Sequence, residues 1–110
     1  MDNNTISAFD NPKYATRRIA DELPPELQLY LWQIIVELKQ NRQMPLDYLQ
    51  VFKLSAKTIS GQILQQITHT QEVPLYKNTV TVRIDTSVGD RKIFCIDDRT
   101  HSTMLFAEEY

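Results

Sequence analysis

The sequence predicts an α+β fold: one long amphipathic helix packed on a mainly antiparallel sheet of about five strands. Three observations predict it. Leu27, Tyr30, Leu31, Ile34, Ile35 and Leu38 recur at helical spacing. Val80, Val82 and Ile84 alternate with Thr79, Thr81 and Arg83, the period of a half-buried strand. Lys92 to Asp97 is apolar on both faces, which suits a central strand, and a further short strand follows at Thr103 to Ala107.

Taken in order, residues 1–12 are polar and read as a flexible N-terminal tail, and residues 13–110 as a single α+β domain. Tyr14 to Ile19 partly alternates and is expected to form a short strand. Leu23-Pro24-Pro25-Glu26 starts the helix, because proline is tolerated where the backbone N–H has no partner. Glu26 sits at the positive end of the helix dipole, and Lys39 and Arg42 at the negative end, near Asn41. Pro45 stops the helix, and Asp47 to Leu54 is rich in aromatic and branched residues, so it reads as a strand.

Residues 55–70 are ambiguous. Ile59, Ile63 and Ile67 fit a helix, whereas 62–70 also alternates, with Ile63 and Ile67 on one face and Gly61 at a turn or bulge. A strand near 62–70 is the preferred reading. Pro74 breaks the chain, and Ser87-Val88-Gly89-Asp90 is a turn. The last three strands, at short spacing, predict an antiparallel meander.

With 110 residues, 42% of them hydrophobic and 24% charged, the chain is one ordinary globular domain. Its formal net charge of -2 supplies no global field for nucleic acid or an anionic membrane, so no nucleic acid is expected, although a local basic patch remains open. No stretch approaches the roughly 18 to 20 apolar residues of a membrane span. The N-terminus lacks the apolar run of a signal peptide, and a cytoplasmic location is expected. The single cysteine, Cys95, excludes an internal disulfide and suits a reducing compartment. It lies in an apolar strand, where core packing is the expected role. Two glycines in total exclude a P-loop or dinucleotide fingerprint. No cofactor and no metal site are expected, because no His-x-x-x-His or Cys-x-x-Cys spacing occurs.

Two groups of residues carry candidate sites. Asp97-Asp98-Arg99-Thr100-His101-Ser102 holds two carboxylates, an imidazole and hydroxyls. With His69 it forms a possible ligand cluster of His69, Asp97, Asp98 and His101. The alternative is a turn capped by Asp side chains. His101 and Ser102 point to opposite faces if they lie on a strand, so they make no catalytic dyad, and no catalytic residue is assigned. Leu29, Trp32 and Val36 form a second apolar line on the helix, opposite the main stripe. They are expected to bind a protein partner or a second copy, or else to lie under a second cover such as the N-terminal segment or the 55–62 loop. Lys13, Arg17 and Arg18 form a small basic cluster that an exposed edge explains as well as a binding site does. His69 to Tyr76 reads as a strand end and a Pro-directed loop, with a ligand groove as the alternative.

Several strings resemble a domain family of unknown function from low-GC Gram-positive bacteria (staphylococci, enterococci and relatives) and their phages. They are Asn11 to Arg17, Leu27 to Trp32, Asp47 to Phe52, His69 to Lys77, Ile96 to Leu105 and Ala107 to Tyr110. The resemblance carries over no activity, ligand or catalytic residue, and implies an accessory or host-interaction role. Ser55 to Ile63 is longer than the family leads one to expect. The function favoured is therefore a small non-enzymatic protein-interaction or accessory domain; the alternative is a small-ligand binder or enzyme using the Asp97/Asp98/His101/His69 cluster.

Overall fold

The computed structural model describes residues 8–42, 44–84 and 87–110; residues 1–7, 43, 85 and 86 lie outside the description, as does the Arg42 side chain. In chain order the elements are β1 (Lys13–Ala15), α1 (Arg17–Glu22), α2 (Pro25–Arg42), β2 (Leu49–Ile59), β3 (Gln62–Gln71), β4 (Tyr76–Val82), β5 (Arg91–Asp97) and β6 (Ser102–Phe106). A short 3-10 turn, Ala107–Glu109, follows.

The six strands form one mixed sheet in the order β1-β6-β5-β2-β3-β4. Four pairings are antiparallel, and β1 runs parallel to β6. The count is six rather than about five, and the region read as one strand at 14–19 divides into the short strand β1 and the helix α1. Thr16 ends β1 and caps α1: its Oγ1 accepts the Ile19 N–H at 3.2 Å and donates to Glu109 Oε2 at 2.9 Å. That cap turns Arg17 onward into a helix whose buried residue is Ile19.

Residues 55–70 resolve into a long hairpin. Ile59 pairs with Gln62 across Ser60 and Gly61, both at positive φ (52° and 81°). This is the two-residue geometry whose twist matches the flanking strands, and Gly61 adopts it without a Cβ penalty. Pairing with β5 ends at Leu54 and with β4 at Gln65, so residues 56–64 project beyond the rest of the sheet.

The expected meander is also revised. β5 and β6 are neighbours, but β4 is an edge strand on β3, and β5 lies between β6 and β2. The chain therefore crosses the sheet end between β4 and β5. Gln65, fully buried, holds that crossing: it accepts the Val88 N–H at 2.7 Å and donates to the carbonyls of Ser55 (2.9 Å) and Val88 (3.3 Å). A buried amide satisfied in this way acts as one more rung of backbone pairing.

α2 covers one face of the sheet. Leu27, Leu31, Ile35 and Leu38 are buried and meet Phe52, Leu54, Ile67, Ile93, Cys95, Met104 and Phe106, the inward residues of alternate strand positions. Apolar side chains also lie along the other flank of α2, at Leu29, Trp32 and Val36, so its polar face is incomplete. Trp32 packs on Phe9 (6.5 Å between centroids), and Lys13 Nζ sits 5.8 Å from the Trp32 ring. On the outer face of the sheet, Leu49, Val51, Phe94, Ile96 and Leu105 are half-buried, and the Tyr110 ring meets Phe94 edge-on at 5.7 Å. No described helix is long and apolar enough to cross a membrane.

Cys95 is fully buried, and burial pushes its thiol pKa far above the ordinary value. Thiol reagents should accordingly modify native protein only through unfolding, and Cys95→Ala should cost about 1 kcal/mol in urea denaturation. Labelling as fast as that of denatured protein contradicts this placement.

Candidate functional site

The polar chemistry of the chain divides between two places. The first is the β5–β6 turn. Asp97 Oδ2 accepts the Phe9 N–H at 2.8 Å, and Oδ1 accepts Asn11 Nδ2 (2.9 Å) and the Arg99 N–H (2.8 Å). Ser102, fully buried, donates from Oγ to Asn11 Oδ1 at 2.6 Å. These bonds fasten residues 9–12 to the sheet end. From there the segment reaches α2, where Lys39 Nζ donates to Ala8 O (3.2 Å) and faces Asp10 at 3.5 Å. Of the stretch expected as a tail, Phe9 is 2% exposed.

Asp98 caps the same turn. Its Oδ1 accepts the backbone N–H groups of Thr100 and His101 at 3.2 and 3.1 Å, and the Thr100 hydroxyl at 3.0 Å. Thr100 Oγ1 also lies 2.9 Å from His101 Nδ1, and His101 Nε2 lies 3.2 Å from Asp98 Oδ2. A hydroxyl, an imidazole and a carboxylate are thus in sequence, yet the hydroxyl is bonded to the same carboxylate and the group lines no described cleft. Acyl transfer needs a free nucleophile and an oxyanion site, which this exposed turn lacks among its described contacts. The Asp98 carboxyl pKa is lowered, first by the His101 backbone bond.

The second place is the cleft between α2 and the β3–β4 edge. It encloses about 220 Å3 between Tyr30, Ile34, Glu37, Leu38 and Asn41 on the helix and Ile67, His69, Tyr76, Asn78 and Val80 on the strands. Larger depressions, of about 500 and 320 Å3, lie along exposed strand surfaces around Lys53 and Lys92. The smaller cleft is distinguished by His69, which is 2% exposed. Its ring stacks on Phe52 at 4.5 Å and meets Tyr76 edge-on at 5.6 Å.

A chain of buried amides sets the state of that imidazole. Gln71 Nε2 donates to the carbonyls of Pro45 (3.1 Å) and Pro74 (2.8 Å), which fixes its amide orientation. Its Oε1 accepts the Asp47 N–H (3.0 Å) and Gln50 Nε2 (2.7 Å). Gln50 Nε2 also donates to Asp47 O at 2.8 Å. Gln50 Oε1 therefore faces His69 Nε2, 2.6 Å away, as an acceptor. The imidazole proton sits on Nε2, and Nδ1 keeps a bare lone pair. Among the described residues, Nδ1 is the buried side-chain polar atom left without a hydrogen-bond partner. Burial lowers the His69 pKa to about 4, so the ring is neutral at physiological pH.

His69 is thus separated from the other members of the expected cluster. It lies on β3, with β2 between it and β5, whereas Asp97, Asp98 and His101 share the β5–β6 turn. No three described metal-ligating residues come together. On α2, Leu29 is 69% exposed, Trp32 is half-buried behind Phe9, and Val36 lines a small depression with Phe9, Lys13 and Lys39. The basic cluster is dispersed: Arg17 pairs with Asp21, Arg18 with Glu22 and Glu108, and Lys13 donates to Phe9 O. From the sequence, Gln50 has no assigned role, Tyr30 belongs only to the packing stripe of the helix, and Gln71 falls within the alternative groove at His69 to Tyr76. The available signal was parity, since Gln65, His69 and Gln71 share the face of Ile67 along β3.

Two outcomes follow. Asp97→Ala should free the N-terminal segment, red-shift Trp32 fluorescence and cost on the order of 2 kcal/mol, the scale of charge-assisted bonds lost together; unchanged emission contradicts the anchoring role. The His69 shift also sets a pH window. Above pH 6.5 the imidazole is neutral in both the folded and the unfolded chain. From there down towards pH 4 only the unfolded chain takes up the proton, so stability falls, and below pH 4 the loss levels off. Urea melts should show up to about 3 kcal/mol lost across this window, and His69→Phe should remove that slope.

Comparison with known proteins places this architecture. A crystal structure of a protein of unknown function from Enterococcus faecalis shares the fold, with a TM-score of 0.71 and 24% identity over 92% of both chains. No curated protein matches the chain. The family described as "Staphylococcal protein of unknown function (DUF960)" matches residues 12–109, from the anchored segment to the end of the final turn, and the chain belongs to that family.

Proposed function

We propose that this domain binds a small organic molecule in the cleft between α2 and the β3–β4 edge, and that it works by binding rather than by catalysis. The observation that carries the reading is His69 Nδ1. It is a buried lone pair without a partner among the described residues, on a side chain that lines a cleft with Tyr30, Ile34, Leu38, Ile67 and Val80 and with the polar Glu37, Asn41 and Asn78. Buried polar atoms are nearly always paired, and the exceptions gather at functional sites. The cleft joins apolar residues to a few polar ones, Glu37, Asn41, Asn78 and His69, a combination that small-molecule sites use. The competing polar cluster supports chemistry poorly, because Asp97 and Asp98 are occupied by the segment and turn they hold.

A second reading is contact with another chain through Leu29, Trp32 and Val36. Its support is Leu29, whose large apolar side chain stays 69% exposed beside Trp32 on the same flank. Leu29→Glu should leave the melting temperature nearly unchanged and lower any concentration-dependent mass seen by light scattering. A mass equal to the monomer for both proteins at all concentrations removes this reading.

For the cleft, toluene titrated into 15N-labelled protein should move the amide resonances of Ile67, His69, Tyr76 and Val80. Val80→Phe, which fills the cleft from the edge strand, should abolish those shifts while the rest of the spectrum is retained. Shifts scattered over the outer sheet face, or none at millimolar toluene, would sink the reading.

A further inference from the structure

We infer that the ligand of this cleft is a small, non-anionic molecule that carries an apolar ring or chain and donates one N–H or O–H to His69 Nδ1. The inference rests on the proposed small-molecule reading and specifies its chemistry. Three features of the cleft determine that chemistry.

The first is the direction of the hydrogen bond. Backbone carbonyls of Pro45, Asp47 and Pro74 fix the two amide groups, and these leave Gln50 Oε1 to accept from His69 Nε2. The imidazole cannot exchange its tautomer without placing two lone pairs face to face at 2.6 Å. Nδ1 is therefore held as an acceptor, and a group that pairs with it must be a donor. The stacked Phe52 ring and the edge-on Tyr76 ring hold the imidazole plane.

The second is charge. Among the described lining residues Glu37 is the charged one, and none is a lysine or arginine. A carboxylate or phosphate ligand would meet both that carboxylate and the bare Nδ1 lone pair, with no cation among the described lining residues to offset them. A neutral hydroxyl or amine, or an ammonium, meets no such opposition. The Asn41 and Asn78 side chains add neutral polar groups.

The third is size and polarity. Cavities of about 150 Å3 accept a benzene ring, so 220 Å3 suits one ring with a small substituent. Tyr30, Ile34, Leu38, Ile67 and Val80 supply the apolar wall for it.

Four probes of similar shape test the inference: phenol, benzylamine (cationic at neutral pH), anisole and benzoate. Each is titrated into labelled protein, with amide shifts for affinity and side-chain nitrogen spectra for His69. Phenol and benzylamine should bind at least tenfold more tightly than anisole, and benzoate more weakly than anisole. Phenol should also shift the unprotonated His69 nitrogen and leave the protonated one nearly still. His69→Phe should lower phenol to the affinity of anisole. Should that variant fail to fold, the nitrogen shift in the unaltered protein decides the matter alone. If anisole and phenol bind equally, or benzoate binds as well as phenol, the ligand class is wrong while the small-molecule reading stands. If none of the four perturbs the cleft, both fall.

Discussion

A primary amide buried in a protein core must find partners for two donor hydrogens and a two-lone-pair acceptor, and three such amides shape this fold. Gln50, Gln65 and Gln71 are each fully or almost fully buried on the helix-facing side of the central hairpin. An unpaired amide there would cost on the order of 1–3 kcal/mol. Each is paired, and each pairing ties down a piece of chain that has no sheet neighbour of its own. Gln71 holds the connection after α2 to the β3–β4 turn, through Pro45, Asp47 and Pro74. Gln65 holds the crossing from β4 to β5 through Val88. Gln50 joins the first network to His69. The long β2–β3 hairpin is thus a spine to which loops are fastened by side chains.

The same logic separates structural from functional polarity. At the β5–β6 turn every carboxylate oxygen of Asp97 and Asp98 has a partner, and the partners are the backbone of the turn, the Thr100 and His101 side chains and the N-terminal segment. Those bonds bring Phe9 over α2 and so cover Trp32 in part. At the cleft the network ends one bond short. Its last member, His69, presents a lone pair that no described residue meets. Charge alone does not distinguish these two places; completeness of hydrogen bonding does.

Membership in a family of proteins of unknown function gives the fold a lineage, and the Enterococcus faecalis structure extends the architecture to a sequence of 24% identity. Since neither supplies an activity, the functional reading rests on the cleft itself. That cleft is formed by an edge strand and one helix flank, where Val80 and Ile34 are only partly buried against the core. Its placement beside β4 follows from the topology, because the edge strand leaves the end of the helix–sheet layer open.

Much of this was present in the sequence. The 3.6-residue period from Leu27 to Leu38 determined α2 and the residues it buries, because periodicity is a local property that packing only had to accept. Alternation marked the second half of β4, a run apolar on both faces marked β5, and the apolar setting of Cys95 determined its burial. The Thr16 cap, which converts a short strand into β1 and α1, was legible but overlooked. Only the tertiary structure decided the rest. The insertion of β5 between β6 and β2, and the parallel β1, depend on pairings between residues far apart in the chain, which local pattern does not encode. His69 and Asp98 look alike as letters, each a titratable group near a turn. A distant partner, a glutamine 19 residues away on β2, made His69 a buried acceptor, whereas the Asp98 cap uses the backbone of its own turn, a local arrangement that the sequence already offered. Hydrogen-bond completeness is a property of three-dimensional neighbours, and for that reason the site emerged only when the strands were placed side by side.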